Sequence, residues 1–192
     1  MKKYLHIALM LLCVFVVSSC KDDDDDTEAV EREAYKLEQD IAFQAKVNET
    51  GFVRWYSEAG DGYVCAKLIE KGNGKQAYFN SLVSVYYKGS LTDGTVFDQQ
   101  LFDDGIPFPC AVSPYYAKTV TDPVTNSQTK YGSVISGWTV ALQHMVEGDK
   151  YEIWIPQQLA YGASDNGDIP AYSTLIFEIE LVSVDEQAAS AS

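Results

Sequence analysis

A chain of 192 residues has room for one ordinary globular domain plus extensions, because domains most often run to about 100 to 150 residues. Its 28 acidic against 14 basic side chains give a net charge of −14, a surface that repels nucleic acid and anionic lipid headgroups. The two histidines, His6 and His144, lie far apart in sequence, which excludes a His-based triad and a His-rich metal site. There is also no Gly-rich phosphate loop with its lysine and no calcium loop of EF-hand spacing. No metal or cofactor is therefore expected.

Lys2 and Lys3 precede an apolar run from Ile7 to Val17, the basic and hydrophobic regions of a secretory signal. The run is shorter than the roughly 20 apolar residues of a membrane-spanning helix. It ends at VVSSC, Val16 to Cys20, which resembles the lipobox of bacterial lipoproteins. Residues 1–19 are then a lipoprotein signal peptide and Cys20 the lipid anchor, the alternative being an ordinary signal with an incidental cysteine. In KDDDDD, Lys21 to Asp26, like charges repel and favour an extended, solvated chain, so residues 20–27 read as an acidic tether. Such a run also resembles the export signal of surface-displayed lipoproteins in some Gram-negative bacteria; a plain spacer has the same composition. The expected location is the bacterial cell envelope, lipid-anchored at the outer membrane and facing the periplasm or the outer surface. Loss of Lys2 and Lys3 leaves 12 basic side chains against 28 acidic ones. Cys65 and Cys110 remain in the folded part, where an oxidising compartment would let them pair.

From Glu28 to about Asn48, Val30, Ala34, Leu37, Ile41 and Ala45 recur every three or four residues, an apolar helical stripe that Gly51 stops. A helix of this length is marginal alone, so the stripe is expected to pack on its own domain or on a second chain. Strand signals follow at Phe52 to Tyr56, Tyr63 to Ile69 and Phe79 to Leu91, the last ending at the Asp93-Gly94 turn, then at Thr95 to Asp98 and Ile106 to Val112. A polar stretch carrying Pro114, Pro123 and Gly132 leads to a short helix between Gly137 and Gly148, on which Trp138, Ala141, Leu142 and Met145 share one side. Strands at Tyr151 to Ile155 and Thr174 to Val184 complete an α+β domain, and residues 185–192 read as a disordered tail. Aromatic and aliphatic residues beside turns, as in LAYGASDNGDIPAYSTLIF at 159 to 177, describe an apolar pocket.

Five blocks carry a more specific signal: VYYKGSLTDGTVFD at 85 to 98, PF at 107 and 108, VISGWTVALQHMVEGDK at 134 to 150, IPQQLAYG at 155 to 162, and IPAYSTLIFEIELVSV at 169 to 184. Their order and spacing resemble those of FKBP-type peptidyl-prolyl isomerases, from about Tyr63 to Val184. The resemblance implies a half-open antiparallel β-sheet wrapped around one short helix at 138 to 146, with the substrate prolyl ring held between them. It divides the chain into an N-terminal helix and linker strand at 28–62 and an isomerase domain at 63–184.

The resemblance also implies a site. Trp138 would be the pocket floor, with Tyr87, Phe97, Phe108, Val134, Ile135 and Phe177 as walls. Tyr161 would offer its hydroxyl to a substrate carbonyl, Ile169 would close the far side, Asp98 would lie beside the twisted carbonyl, and the Ile135 N–H would donate to the substrate. The partners implied are proline-containing polypeptides and a macrolide-type ligand of the same pocket, with no cofactor. The chain departs from the pattern at Cys110, which would thin one wall, at Asp168 on the rim, and above all in an insert at 112–133. The insert offers AKTVT and NSQTKYG as a hairpin around Asp122-Pro123 and joins two pocket-lining segments, so it is expected at the rim, with Tyr115-Tyr116 able to fold toward the pocket. There it would select substrates, form a partner surface or cover the site. The leading expectation is an isomerase of X-Pro bonds in exported or envelope proteins; the alternative is a catalytically weak binding module or chaperone for a protein or glycan.

Overall fold

The computed structural model describes the backbone of residues 24–187 and the side chains of residues 27–185. The expected signal peptide at 1–19, the expected anchor position Cys20 and the last five residues lie outside the described part. Helix α1 (Asp24–Val47) is followed by strands β1 (Val53–Tyr56), β2 (Tyr63–Glu70), β3 (Ser81–Ser90), β4 (Val96–Gln100) and β5 (Phe108–Ala111). A small hairpin of β6 (Lys118–Thr121) and β7 (Gln128–Tyr131) comes next, then α2 (Ser136–Leu142), β8 (Lys150–Ile155) and β9 (Leu175–Gln187).

Seven strands form one sheet in the order β1-β2-β8-β9-β3-β4, with β5 also paired to β3, and every pairing is antiparallel. The short strands β5 and β4 share one edge of β3 in succession: β5 faces Leu82 to Val85 and β4 faces Tyr87 to Ser90. Alternation along β3 and β9 sends Val83, Val85 and Tyr87, with Phe177, Ile179 and Leu181, into the main core. Helix α2 contributes Trp138, Val140, Ala141 and Leu142 to the same core. Seven residues are too few to hold a helix alone, so this one forms by packing on the sheet. Gly137 permits the close approach, because a Cβ there would lie 2.3 Å from Ile155 Cγ2. The helix ends at Leu142, short of the expected residue 146, and the chain turns through Gln143 and His144. His144 is exposed and stacked on Trp55 with ring centroids 4.7 Å apart.

Four readings change. Asp24–Thr27, read as the end of the tether, form the first turn of α1, since a helix N-terminus favours the acidic residues that repel one another in a free chain. Residues 185–187, read as tail, continue β9, where Gln187 pairs with Ser81. The apolar stripe of α1 does not face the sheet: Leu37 and Ile41 are each 61% exposed. From residue 33 onward the helix docks through Tyr35, Gln39 and Phe43 instead. Gln39 is 2% exposed, donates to Thr92 Oγ1 and accepts from the Thr174 backbone N–H, while Phe43 joins Cys65 and Trp154 on the outer side of the sheet. Finally, Cys65 and Cys110 do not pair, because Cys65 lies in that outer cluster and Cys110 in the main core. Burial pushes the Cys65 thiol up to about 11 and that of Cys110 further in the same direction.

Candidate active site

Where β3, β4, β5 and β9 meet the start of α2, aromatic side chains surround a cavity of about 350 Å³, within the usual range for small-ligand sites. Trp138, 4% exposed, stands at its base in edge-to-face contact with Tyr87 (centroids 5.1 Å apart), Phe177 (5.2 Å) and Phe108 (6.5 Å). Such perpendicular pairs hold each ring by its neighbours' quadrupoles and leave a stiff, dry wall. The Trp138 Nε1–H is buried with no acceptor among the described residues.

Gly89 explains how the rings close up. It pairs with Asp98 on one side and Phe177 on the other, and a Cβ there would lie 2.7 Å from both the Phe177 and Phe97 rings. The missing side chain lets those two rings meet edge to face at 5.6 Å over the strand. A glycine inside a strand signals such a close approach, and this one went unread in the sequence.

Polar groups are few and grouped. The Tyr87 hydroxyl donates a 2.7 Å hydrogen bond to Asp98 Oδ2. Burial, reinforced by that bond, pushes the Tyr87 phenol well above its ordinary value. Burial and then the negative field of Asp98 raise the Tyr161 phenol too, against a hydrogen bond from Asn166 that lowers it. Tyr161 follows the short 3₁₀ turn Gln157–Leu159 and is held there by the Gly162 N–H on the Gln157 carbonyl and the Tyr172 N–H on the Gly162 carbonyl. It lines the cavity while remaining 38% exposed. Across from it, Ser133, Val134 and Ile135 lead into α2, and the Ile135 carbonyl accepts from the Trp138 and Thr139 N–H groups. The Ile135 N–H has no acceptor among the described residues, as suits a donor kept for a ligand.

The cavity thus gathers Tyr87, Phe97, Asp98, Phe108, Val134, Ile135, Trp138, Tyr161 and Phe177 from five stretches of sequence, and adds Ser133. Ile169 does not join them: it is 6% exposed and packed in the core, its N–H bonded to the Asn166 carbonyl. Cys110 is wholly buried in the core and does not itself line the cavity.

The insert does not cover the cavity. Its hairpin forms as expected, with Val120 opposite Thr129 and the turn held by Asp122 Oδ1 accepting from the Val124 and Thr125 N–H groups. It packs elsewhere, through Tyr116, Val120 and Tyr131, on Leu82 and Ala111. Leu82 points to the opposite side of β3 from Val83 and Val85, so the hairpin sits on the outer face. Tyr115 also stays out of the cavity and is 90% exposed. Among the described residues no cluster of histidine, cysteine and carboxylate side chains could hold a metal ion.

Residues 74–182 match the family model described as FKBP-type peptidyl-prolyl cis-trans isomerase. The chain is 34% identical over 164 residues to the FKBP-type peptidyl-prolyl cis-trans isomerase FkpA of Aeromonas hydrophila, covering 85% of this chain and 51% of that one. It is 37% identical over 123 residues to the outer membrane protein MIP of Legionella longbeachae, covering 64% and 44%. It thus spans about half the length of these two relatives. Among solved structures, a peptidyl-prolyl cis-trans isomerase of Pseudomonas syringae pv. tomato superposes with a TM-score of 0.61 at 26% identity, over 88% of this chain and all of that one.

Proposed function

The chain belongs to the FKBP-type peptidyl-prolyl cis-trans isomerase family, and from this we propose that it catalyses rotation about X-Pro bonds of polypeptides in the cell envelope. The observation that carries the reading is the open aromatic cavity on Trp138, with the Tyr87–Asp98 pair and the Tyr161 hydroxyl at its polar side. The hairpin's position on the outer face favours a working site over a blocked binding module.

Resonance sets a barrier of about 18–20 kcal/mol to amide rotation, and an X-Pro bond isomerises unaided over tens to hundreds of seconds. The twisted amide has lost that resonance, so its carbonyl is less polar and its nitrogen more basic than in either planar form. An apolar cavity stabilises such a species relative to the planar amides, which leave water at greater cost. The proline ring would lie on Trp138 between Tyr87, Phe97, Phe108 and Phe177; the Ile135 N–H and Tyr161 hydroxyl would hold the flanking carbonyls, and the Asp98 carboxylate would face the rotating one. No proton transfer is required. Each ~1.4 kcal/mol of preference for the twisted form gives about a tenfold acceleration. The same apolar cavity suits a macrolide-type ligand that presents a proline-like ring.

The decisive experiment measures isomerisation of a short X-Pro peptide by residues 24–192, wild type beside Tyr161→Phe and Asp98→Ala. Acceleration that falls in both variants supports the assigned site; no acceleration by the wild type removes the enzyme reading. For location, we propose a lipid anchor at Cys20, supported by the lipobox-like VVSSC and the basic and apolar run before it. Cys20→Ala should move the protein from the membrane to the soluble fraction, and protease shaving of intact cells reports which side it faces.

A further inference from the structure

A second cleft lies on the neighbouring face of α2, and its lining differs in kind from that of the aromatic cavity. The turn joining β1 to β2 supplies Glu58 and Asp61, the segment before β3 supplies Phe79, and the start of the insert supplies Pro114 and Tyr115. These groups are set by structure. The turn is closed by the Ser57 N–H on the Gly62 carbonyl, the Gly60 N–H on the Ser57 carbonyl and the Ala59 N–H on Ser57 Oγ. The insert is pinned to α2 where Thr139 Oγ1 donates to the Val112 carbonyl at 2.6 Å, and the Tyr115 N–H bonds to Ser113 Oγ.

Two features need explaining. Phe79 and Tyr115 are 46% and 90% exposed, and neither joins an apolar cluster of the fold. Glu58 and Asp61 are exposed carboxylates with no cation beside them among the described residues, in a chain that pairs others closely, such as Lys150 with Glu178 at 2.7 Å. A side chain that satisfies both has an apolar stem and a cationic end, which describes lysine or arginine: the stem covers the rings and the charge meets the carboxylates.

The cleft also lies beside the proposed active site, on adjacent residues at the start of α2. Ile135 and Trp138 line the aromatic cavity, while their immediate neighbours Ser136 and Thr139 line the cleft. Consecutive residues of a helix face directions about 100° apart on a body roughly 10 Å across. A substrate bound with proline on Trp138 reaches the cleft with about three extended residues at roughly 3.3 Å each.

Building on the isomerase reading, we propose that this cleft is a specificity subsite, in which Glu58, Asp61, Phe79 and Tyr115 take a lysine or arginine about three residues from the proline of the same polypeptide. The site selects substrates by sequence around the bond and leaves the rotation itself to the aromatic cavity.

The test compares kcat/KM for a panel of X-Pro peptides of equal length, carrying Lys, Gln or Glu three residues before or after proline. Enzymes are the wild type, Glu58→Gln with Asp61→Asn, Tyr115→Ala, and a control that neutralises Glu31→Gln and Glu38→Gln on α1. The wild type should prefer Lys over Gln by about three- to fivefold on one side of proline, the effect of a partly exposed ion pair with ring contact, and lose the preference in added salt. Neutralising Glu58 and Asp61 should abolish the preference while Gln peptides turn over as before; Tyr115→Ala should weaken it and the control keep it. Equal turnover of all peptides, or a preference that follows the control as well, would overturn the subsite and leave the isomerase intact. Silence with every peptide would remove the isomerase reading and this inference with it.

Discussion

The Tyr87 hydroxyl and Asp98 Oδ2 are 2.7 Å apart, one group from β3 and the other from the short edge strand β4 beside it. The bond keeps an acidic group at a fixed point on an otherwise apolar wall. Tyr87→Phe should lower kcat/KM by about ten- to a hundredfold, consistent with the ~1.5–3 kcal/mol of a hydrogen bond to a charged group, and Asp98→Asn should share most of that loss in a double-mutant cycle. Additive losses in the cycle would separate the two residues.

Tyr87 and Tyr161 also set the upper pH limit. Both phenols are held above 10.0 in the folded chain, mainly by burial, so both stay protonated below that value and activity should be flat from about pH 6 to 9. The stability linked to these protons is fully present below the unfolded value near 10 and is lost as pH rises through the folded values. A kcat/KM profile with an inflection near neutrality would show that some other group titrates in the mechanism.

Gly89→Ala tests whether the contact of Phe97 with Phe177 shapes the cavity. A Cβ 2.7 Å from each ring must displace both, and overpacking of this kind costs about 1–3 kcal/mol. Thermal unfolding should report that loss, and isomerisation should fall with it because two walls move. A stable variant with full activity would mean that the rings have room to shift without consequence.

The strands were legible in the sequence because their alternation obeys a local rule. The alternation of residues 79–91 marks β3, whereas the cavity wall is implied only by the resemblance of the five blocks to the isomerase family, whose matched positions come together in the fold. What escaped depends on partners distant in sequence. The docked face of α1 is organised by a glutamine, and hydropathy periodicity points instead to Leu37 and Ile41. The insert connects two cavity segments, yet its hairpin goes to the outer face because Tyr131 and Tyr116 find Leu82 and Ala111 there. Ile169 beside a rim loop is equally suited to wall or core, and only packing decides between them.

The hairpin position predicts that activity on a short peptide does not need it. Replacing residues 117–130 by a short Gly-Ser link should leave kcat/KM within about twofold, while stability falls because Val120 no longer covers Leu82, Ala111 and Tyr131. Faster turnover after shortening would show that the insert reaches the cavity in solution.

Gln39 offers the sharpest test of how α1 is attached. Its side chain joins the β3–β4 turn at Thr92 to the start of β9 at Thr174, and the Thr174 hydroxyl in turn donates to the Gln39 carbonyl at 3.2 Å. Gln39→Leu keeps the size and improves the hydropathy of the helix, so a purely apolar account of docking predicts a gain in stability. The structure predicts a loss of about 1–3 kcal/mol, because the buried Thr174 N–H is left without its acceptor. Chemical denaturation of the variant distinguishes the two, and amide exchange at Thr174 should accelerate only if the polar contact is what holds the helix in place.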